Sequence, residues 1–241
     1  MNFSLDKVFF NLYRNRLGVF ILGGIFLTRL FLTGLILFFG FIYIFIIPED
    51  PVGFKIFMKL IPMALIIILV LQTKTAFSNT YQKWILFGLF VCMIADAVIY
   101  WFLPGLITFF FGHLLLIIAF RHIWRQQIPK WVAFILLFYG ALMAILLVGS
   151  QIKAGEIILA FAILAYITVI LIMGWHAIAT RLPLAIIGAI FFMISDSILA
   201  IDRFIEPLPF RDALVMGTYY FAQFMIAKSV GSPIKQSNLI K

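Results

Sequence analysis

Two hexapeptides one hundred positions apart, MIADAV at Met93–Val98 and MISDSI at Met193–Ile198, each set one aspartate in a long aliphatic run. A charged side chain in mid-span costs about 3 kcal/mol on insertion scales, so such residues are rarely accidental. Two carboxyl groups in one dry layer can divide the work of acid–base catalysis. Burial in low dielectric favours the protonated form of a carboxyl, which leaves one group able to donate a proton near neutral pH. Asp96 and Asp196 are therefore the candidate catalytic pair. Which of them acts as acid and which as base is not readable from sequence.

Other polar side chains fall near the same depth and are candidates for binding or orienting a substrate. Lys59 lies about one turn into its apolar segment and can pair with an aspartate, and such a pair is structural when it does nothing else. His113 and Gln223 sit further in. Read alone, His113 is a packed histidine bonded to a carbonyl and Gln223 a bridge between two helices. Tyr219 and Tyr220 precede Gln223 by four and three residues and lie near its face, and Tyr100 follows Asp96 by four. Ser195 and Ser197 flank Asp196 and can donate locally. A zinc hydrolase would need about three His or Cys ligands. Of the 3 histidines, His122 and His176 lie in basic loops far from the aspartates. No metal or other cofactor is expected, and no Ser-His-Asp set, phosphate loop or nucleotide fingerprint is present.

These groups need helices to carry them. The chain has 241 residues, 65% hydrophobic and only 11% charged, with mean hydropathy +1.19. A soluble domain carries about 25% charged residues. The composition excludes a soluble protein and predicts an all-α, polytopic membrane protein. A span needs about 20 apolar residues. Breaks at Pro, Gly and charge clusters place about eight spans, near 30–47, 55–71, 84–102, 105–121, 131–149, 155–173, 184–201 and 213–229. The stretch 17–47 reads as one tilted helix or as an interfacial helix leading into a span. It lacks a cleavage site, so it is a retained anchor.

The net charge of +9 would suggest nucleic acid in a soluble protein. Here it follows the positive-inside rule, and no nucleic acid is expected. With eight spans, thirteen of the 18 Lys and Arg fall on the side of the two termini, which predicts both termini cytoplasmic. The expected setting is an inner membrane of bacterial type. The whole chain 1–241 reads as one transmembrane domain, with a basic segment at 1–16 and a mobile tail at 230–241. The single Cys92 forms no intrachain disulfide. The triplets FGH at 111–113 and FAQ at 221–223 repeat a pattern of aromatic, small and polar residues. With the two aspartate motifs, they suggest two copies of a four-helix unit in the same orientation.

KLIPM at 59–63, IADAVIYW at 94–101, FGHLLLIIAF at 111–120, SDSILAIDRF at 195–204 and YYFAQFMIAKS at 219–229 occur in this order. Together they resemble the YhhN family of eight-span proteins, over about residues 55 to 230. Leu60 stands where the family usually has Pro, and Ala95 where it usually has Gly. The characterised members are lysoplasmalogenases. The resemblance implies a lysophospholipid substrate in a setting of membrane lipids, and cleavage of its vinyl ether to a fatty aldehyde and a glycerophospho-base. In that reading Asp96 and Asp196 form the acid/base pair, Lys59 keeps one of them ionised, and His113 and Gln223 orient water or the glycerol hydroxyl. A proton-coupled transporter is the rival, since it too buries Asp, Lys and His. Transporters often break helices in mid-span, and Pro62 is the clear mid-span proline here. A polar layer that only glues helices is the third reading.

Overall fold

A computed structural model describes residues 27–73, 79–124 and 127–232. The basic segment 1–16, the first part of the 17–47 stretch and the tail beyond Ser232 lie outside the described residues. Within them the chain forms eight membrane-length helices and no strand. They are α1 (Leu27–Phe45), α2 (Val52–Leu71), α3 (Asn79–Val98) and α4 (Phe102–His122). After these come α5 (Lys130–Lys153), α6 (Ile157–Ala179), α7 (Pro183–Phe204) and α8 (Arg211–Ser229). The first seven are long and apolar enough to cross a membrane. α8 is more polar because it begins with Arg211 and Asp212 and carries Tyr219, Tyr220 and Gln223, all three of which face inward. Outside the bundle the helices present Leu, Ile and Phe, as a lipid-facing surface requires.

Two hairpins, α3–α4 and α7–α8, make the most extensive contacts, and α4 and α6 bring the two halves together. Glycine permits the close approach in both hairpins. A Cβ at Gly88 would lie 2.8 Å from Leu116 Cδ2, and one at Gly188 would lie 2.7 Å from Ile226 Cγ1. The two glycines stand eight residues before Asp96 and Asp196, so the duplicated acids sit on duplicated helix contacts.

Six of the spans expected from sequence match their helices to within about a turn at each end; α6 runs six residues beyond its expected end at 173, and α3 differs at both ends. It starts and ends earlier than the expected 84–102, and Pro104 falls in the first turn of the next helix, where proline is well tolerated. α4 begins at Phe102, and Ile99–Trp101 form the turn. Asp96 thus lies two residues, about 3 Å, from the end of α3, and Asp196 eight residues, about 12 Å, from the end of α7. The equal depth below the helix ends expected from sequence does not hold. Both acids nevertheless line one cavity.

Candidate functional site

Each acid is held by a different set of partners. Asp96 is buried, with Lys59 Nζ 3.0 Å from Oδ1. The Tyr219 hydroxyl donates to its Oδ2 at 2.6 Å. Three helices therefore converge on one carboxylate: α2 supplies the cation, α3 the acid and α8 the phenol. Asp196 on α7 accepts from the Tyr166 hydroxyl of α6 at 2.5 Å, and among the described residues no Lys or Arg pairs with it. Among the described residues, then, one carboxyl group faces an ammonium and a phenol, the other a phenol.

Both acids line one small chamber of about 60 Å³, together with Lys59, Ser195 and Tyr219. From it, a wider mouth of about 430 Å³ leads outward past Lys59 and Asp96 to charged residues at the helix ends. An ion network organises that rim. Lys55 bonds Asp212 at 2.8 Å and also Glu49. Arg211 bonds Asp202 at 2.8 Å and Asp212 at 2.9 Å. The mouth therefore mixes cations with anions and can meet a zwitterion. On the other side of the acids, a cleft lined mainly by apolar residues touches Asp196. A polar mouth and an apolar cleft joined at two carboxyl groups suit an amphiphile whose reacting bond lies between head and tail.

The remaining candidates divide. Tyr220 donates to the Lys59 carbonyl at 2.8 Å and so fixes the turn of α2 that presents the ammonium. Ser195 does not serve Asp196; its hydroxyl donates to the Val215 carbonyl at 2.9 Å and ties α7 to α8. Ser197 likewise bonds the Met193 carbonyl at 2.7 Å. Tyr100 does not share the buried face of Asp96. The early end of α3 puts it in the turn, 64% exposed, where it lines the mouth. His113 and Gln223 lie fully buried, off the walls of the chamber, the mouth and the apolar cleft. His113 Nδ1 donates to the Phe109 carbonyl at 2.7 Å, while its ring packs on Phe192 and Tyr166. The packed-histidine alternative describes that half of the ring. Among the described residues its Nε2 has no hydrogen-bond partner, and the Gln223 amide lies beside Cys92 and Tyr219 without a well-formed bond.

Sequence reasoning passed over Tyr166 and Tyr139. Tyrosines near span ends read as interfacial belts, but Tyr166 stands nine residues into α6, too deep for a belt. That depth was the available signal. Tyr139 of α5 touches the Ser197 hydroxyl and lines the apolar cleft beside Asp196. Among the described residues, no group of three or more His, Cys, Asp or Glu is placed to hold a metal ion.

Comparison with known proteins supplies independent findings. The model of the YhhN family matches residues 54–230. The chain is 30% identical over 200 residues to lysoplasmalogenase TMEM86B of Homo sapiens, covering 80% of this chain and 83% of that one. It is 30% identical over 158 residues to lysoplasmalogenase TMEM86A of Bos taurus, covering 59% of this chain and 62% of that one. It is also 30% identical over 197 residues to lysoplasmalogenase TMEM86B of Sus scrofa, covering 78% and 81%. No solved structure matches.

Proposed function

The chain belongs to the YhhN family, and on that premise we propose that it is an integral-membrane hydrolase of lysoplasmalogens. It releases a fatty aldehyde and a glycerophospho-base by paired-aspartate catalysis. The observation that carries this reading is the shared chamber of Asp96 and Asp196, with a cation, among the described residues, beside only one of them. The names of its relatives supply the substrate class.

Asp196 is the general acid. It gives its proton to the second carbon of the alkenyl chain, and the double-bond electrons form that new C–H bond. The first carbon becomes an oxocarbenium ion, conjugated with the ether oxygen. Asp96, held as a carboxylate by Lys59 and Tyr219, faces that cation and takes a proton from the attacking water. The product is a neutral hemiacetal. In its collapse Asp196 takes the hydroxyl proton back, Asp96 returns its proton to the departing glycerol oxygen, and the C–O bond breaks. Both side chains end as they began, so the cycle needs water and no other reactant.

The mixed charges of the mouth suit a phosphate joined to an amine. Lys55, Arg203 and Arg211 face Glu49 and Asp202 there. The lysine and arginine bias supports cytoplasmic termini, and in that orientation the mouth opens to the opposite leaflet. Purified protein given a lysoplasmalogen and its saturated alkyl ether analogue tests the proposal. Aldehyde is expected from the vinyl ether alone. Product from the saturated ether, or none from either, would defeat it.

A further inference from the structure

α5 buries the smallest share of its length among the seven apolar helices, and its buried positions are Val132, Gly140, Leu147 and Gln151. It is seated on α6 at Gly140, where a Cβ would lie 2.3 Å from Leu171 Cδ1. Four residues later its hydrogen-bond ladder changes to a π turn over Ala144–Val148. Such turns are rare, occur mostly as single turns inside α-helices, and cluster at functional sites. Leu147 stands seven residues after Gly140, two helical turns on, and so falls on the same face of α5. Leu147 points inward and is buried, while Ile145 and Leu146 face out.

Leu147 and Met143 thereby form the α5 wall of the apolar cleft. Leu106, Ile163, Ala200 and Phe204 from α4, α6 and α7 complete it. Its polar groups (Tyr139, Tyr166, Asp196 and Ser197) gather at one end. From Asp196 to Phe204 the cleft runs about 12 Å along α7. At about 60 Å³ it is narrow, against about 430 Å³ for the charged mouth. Ile99, Phe102 and Leu199 line both and form the partition between them. α5 packs mainly on α6 and reaches α7 by the π turn and by the Tyr139 hydroxyl, which touches Ser197 and the Met193 carbonyl, so the α5–α7 seam is sparsely packed.

We propose that this cleft holds the aliphatic chain of the substrate, and that Leu147 is the specificity-determining residue that sets which chains reach Asp196. The chain enters sideways from the bilayer through the α5–α7 seam while the head group occupies the mouth. The inference rests on the lysoplasmalogenase reading for the identity of the amphiphile. The occupant is an aliphatic chain because the cleft is apolar along its length, narrow, and polar only where it meets the carboxyl group that would protonate the chain's first double bond.

The test uses the full-length protein in nanodiscs and two lysoplasmalogens with one head group, one with a butenyl and one with a hexadecenyl chain. Leu147→Trp narrows the cleft and should lower the ratio of kcat/KM for long over short chain at least about tenfold, the scale on which a hydrophobic pocket discriminates. Phe134→Trp, on the lipid-facing side of the same helix, should leave the ratio at its wild-type value. Ala200→Leu reads the same cleft from the α7 wall should Leu147→Trp fail to fold. Equal losses on both chains, or an unchanged ratio in both cleft variants, would overturn the proposal. Should the wild type release aldehyde from neither lipid, the reaction reading fails. The cleft is then judged by binding of a saturated lysophospholipid, which Leu147→Trp must weaken for the long chain only.

Discussion

Replacing Lys59 with Met keeps most of the aliphatic stem and removes the ammonium. What remains is Asp96, only 2% exposed, with the Tyr219 hydroxyl as its one close side-chain donor among the described residues. Stranding one member of a buried pair costs about 3–5 kcal/mol. The Lys59 side chain keeps 13% of its exposure and borders the mouth, so the lower end applies. The protein can discharge that cost by loosening α2 from α3 or by binding a proton on Asp96. Either route removes the carboxylate proposed to deprotonate water. A loss of about 3 kcal/mol from transition-state stabilisation corresponds to a fall of about 10² in kcat/KM. Aldehyde release, coupled to its reduction by an alcohol dehydrogenase, reads the rate, and thermal unfolding in detergent reads the stability. Adding Asp96→Asn to Lys59→Met removes the stranded charge. The double variant should recover thermal stability and remain inactive. A Lys59→Met protein with wild-type unfolding and a rate within about threefold of wild type would refute the reasoning.

Tyr219→Phe takes one charge-assisted hydrogen bond from Asp96. Such bonds contribute about 1.5–3 kcal/mol, so kcat should fall about tenfold to a hundredfold with little change in KM. In D2O the trapped aldehyde should carry one deuterium at its second carbon, seen by mass spectrometry after immediate reduction; none there would rule out protonation of the double bond. Gly188→Val places side-chain atoms against Ile226 and the Ala222 carbonyl. Overpacking of that kind should cost about 1–3 kcal/mol and lower the unfolding temperature of the α7–α8 hairpin. Incubation with a strong chelator should leave the rate of aldehyde release unchanged, because proton transfer between two carboxyl groups and water supplies every step.

The helix count and the pair of acids were legible because membrane burial enforces simple patterns. A long apolar run must be a helix, and an acid within it stands out. Lys59 as a partner was also legible, since a cation one turn into a span needs an anion. What the sequence hid depends on helix rotation and exact ends. Tyr100 shares a face with Asp96 only if α3 continues, and α3 ends at Val98. Ser195 adjoins Asp196 in sequence, yet successive helical residues point in different directions, so its hydroxyl serves α8 instead. His113 and Gln223 reached the right layer of the bundle but sit behind the chamber, because each lies one turn beyond the aromatic residue (Phe109 and Tyr219) that packs beside it. Tyr166 and Leu147 follow from long-range packing, which decides the face each helix turns inward and which residue types in an all-apolar run do not announce.

The account stands on Asp96 and Asp196 acting together, and single substitutions to Asn test that most directly. Asn keeps the shape and the hydrogen-bonding oxygen while removing proton exchange. At equal amounts of folded, membrane-inserted protein, each variant should release aldehyde from lysoplasmalogen at least about 10²–10⁴ times more slowly than wild type. Near-normal turnover by either variant would contradict the assignment of these two carboxyl groups as the catalytic pair.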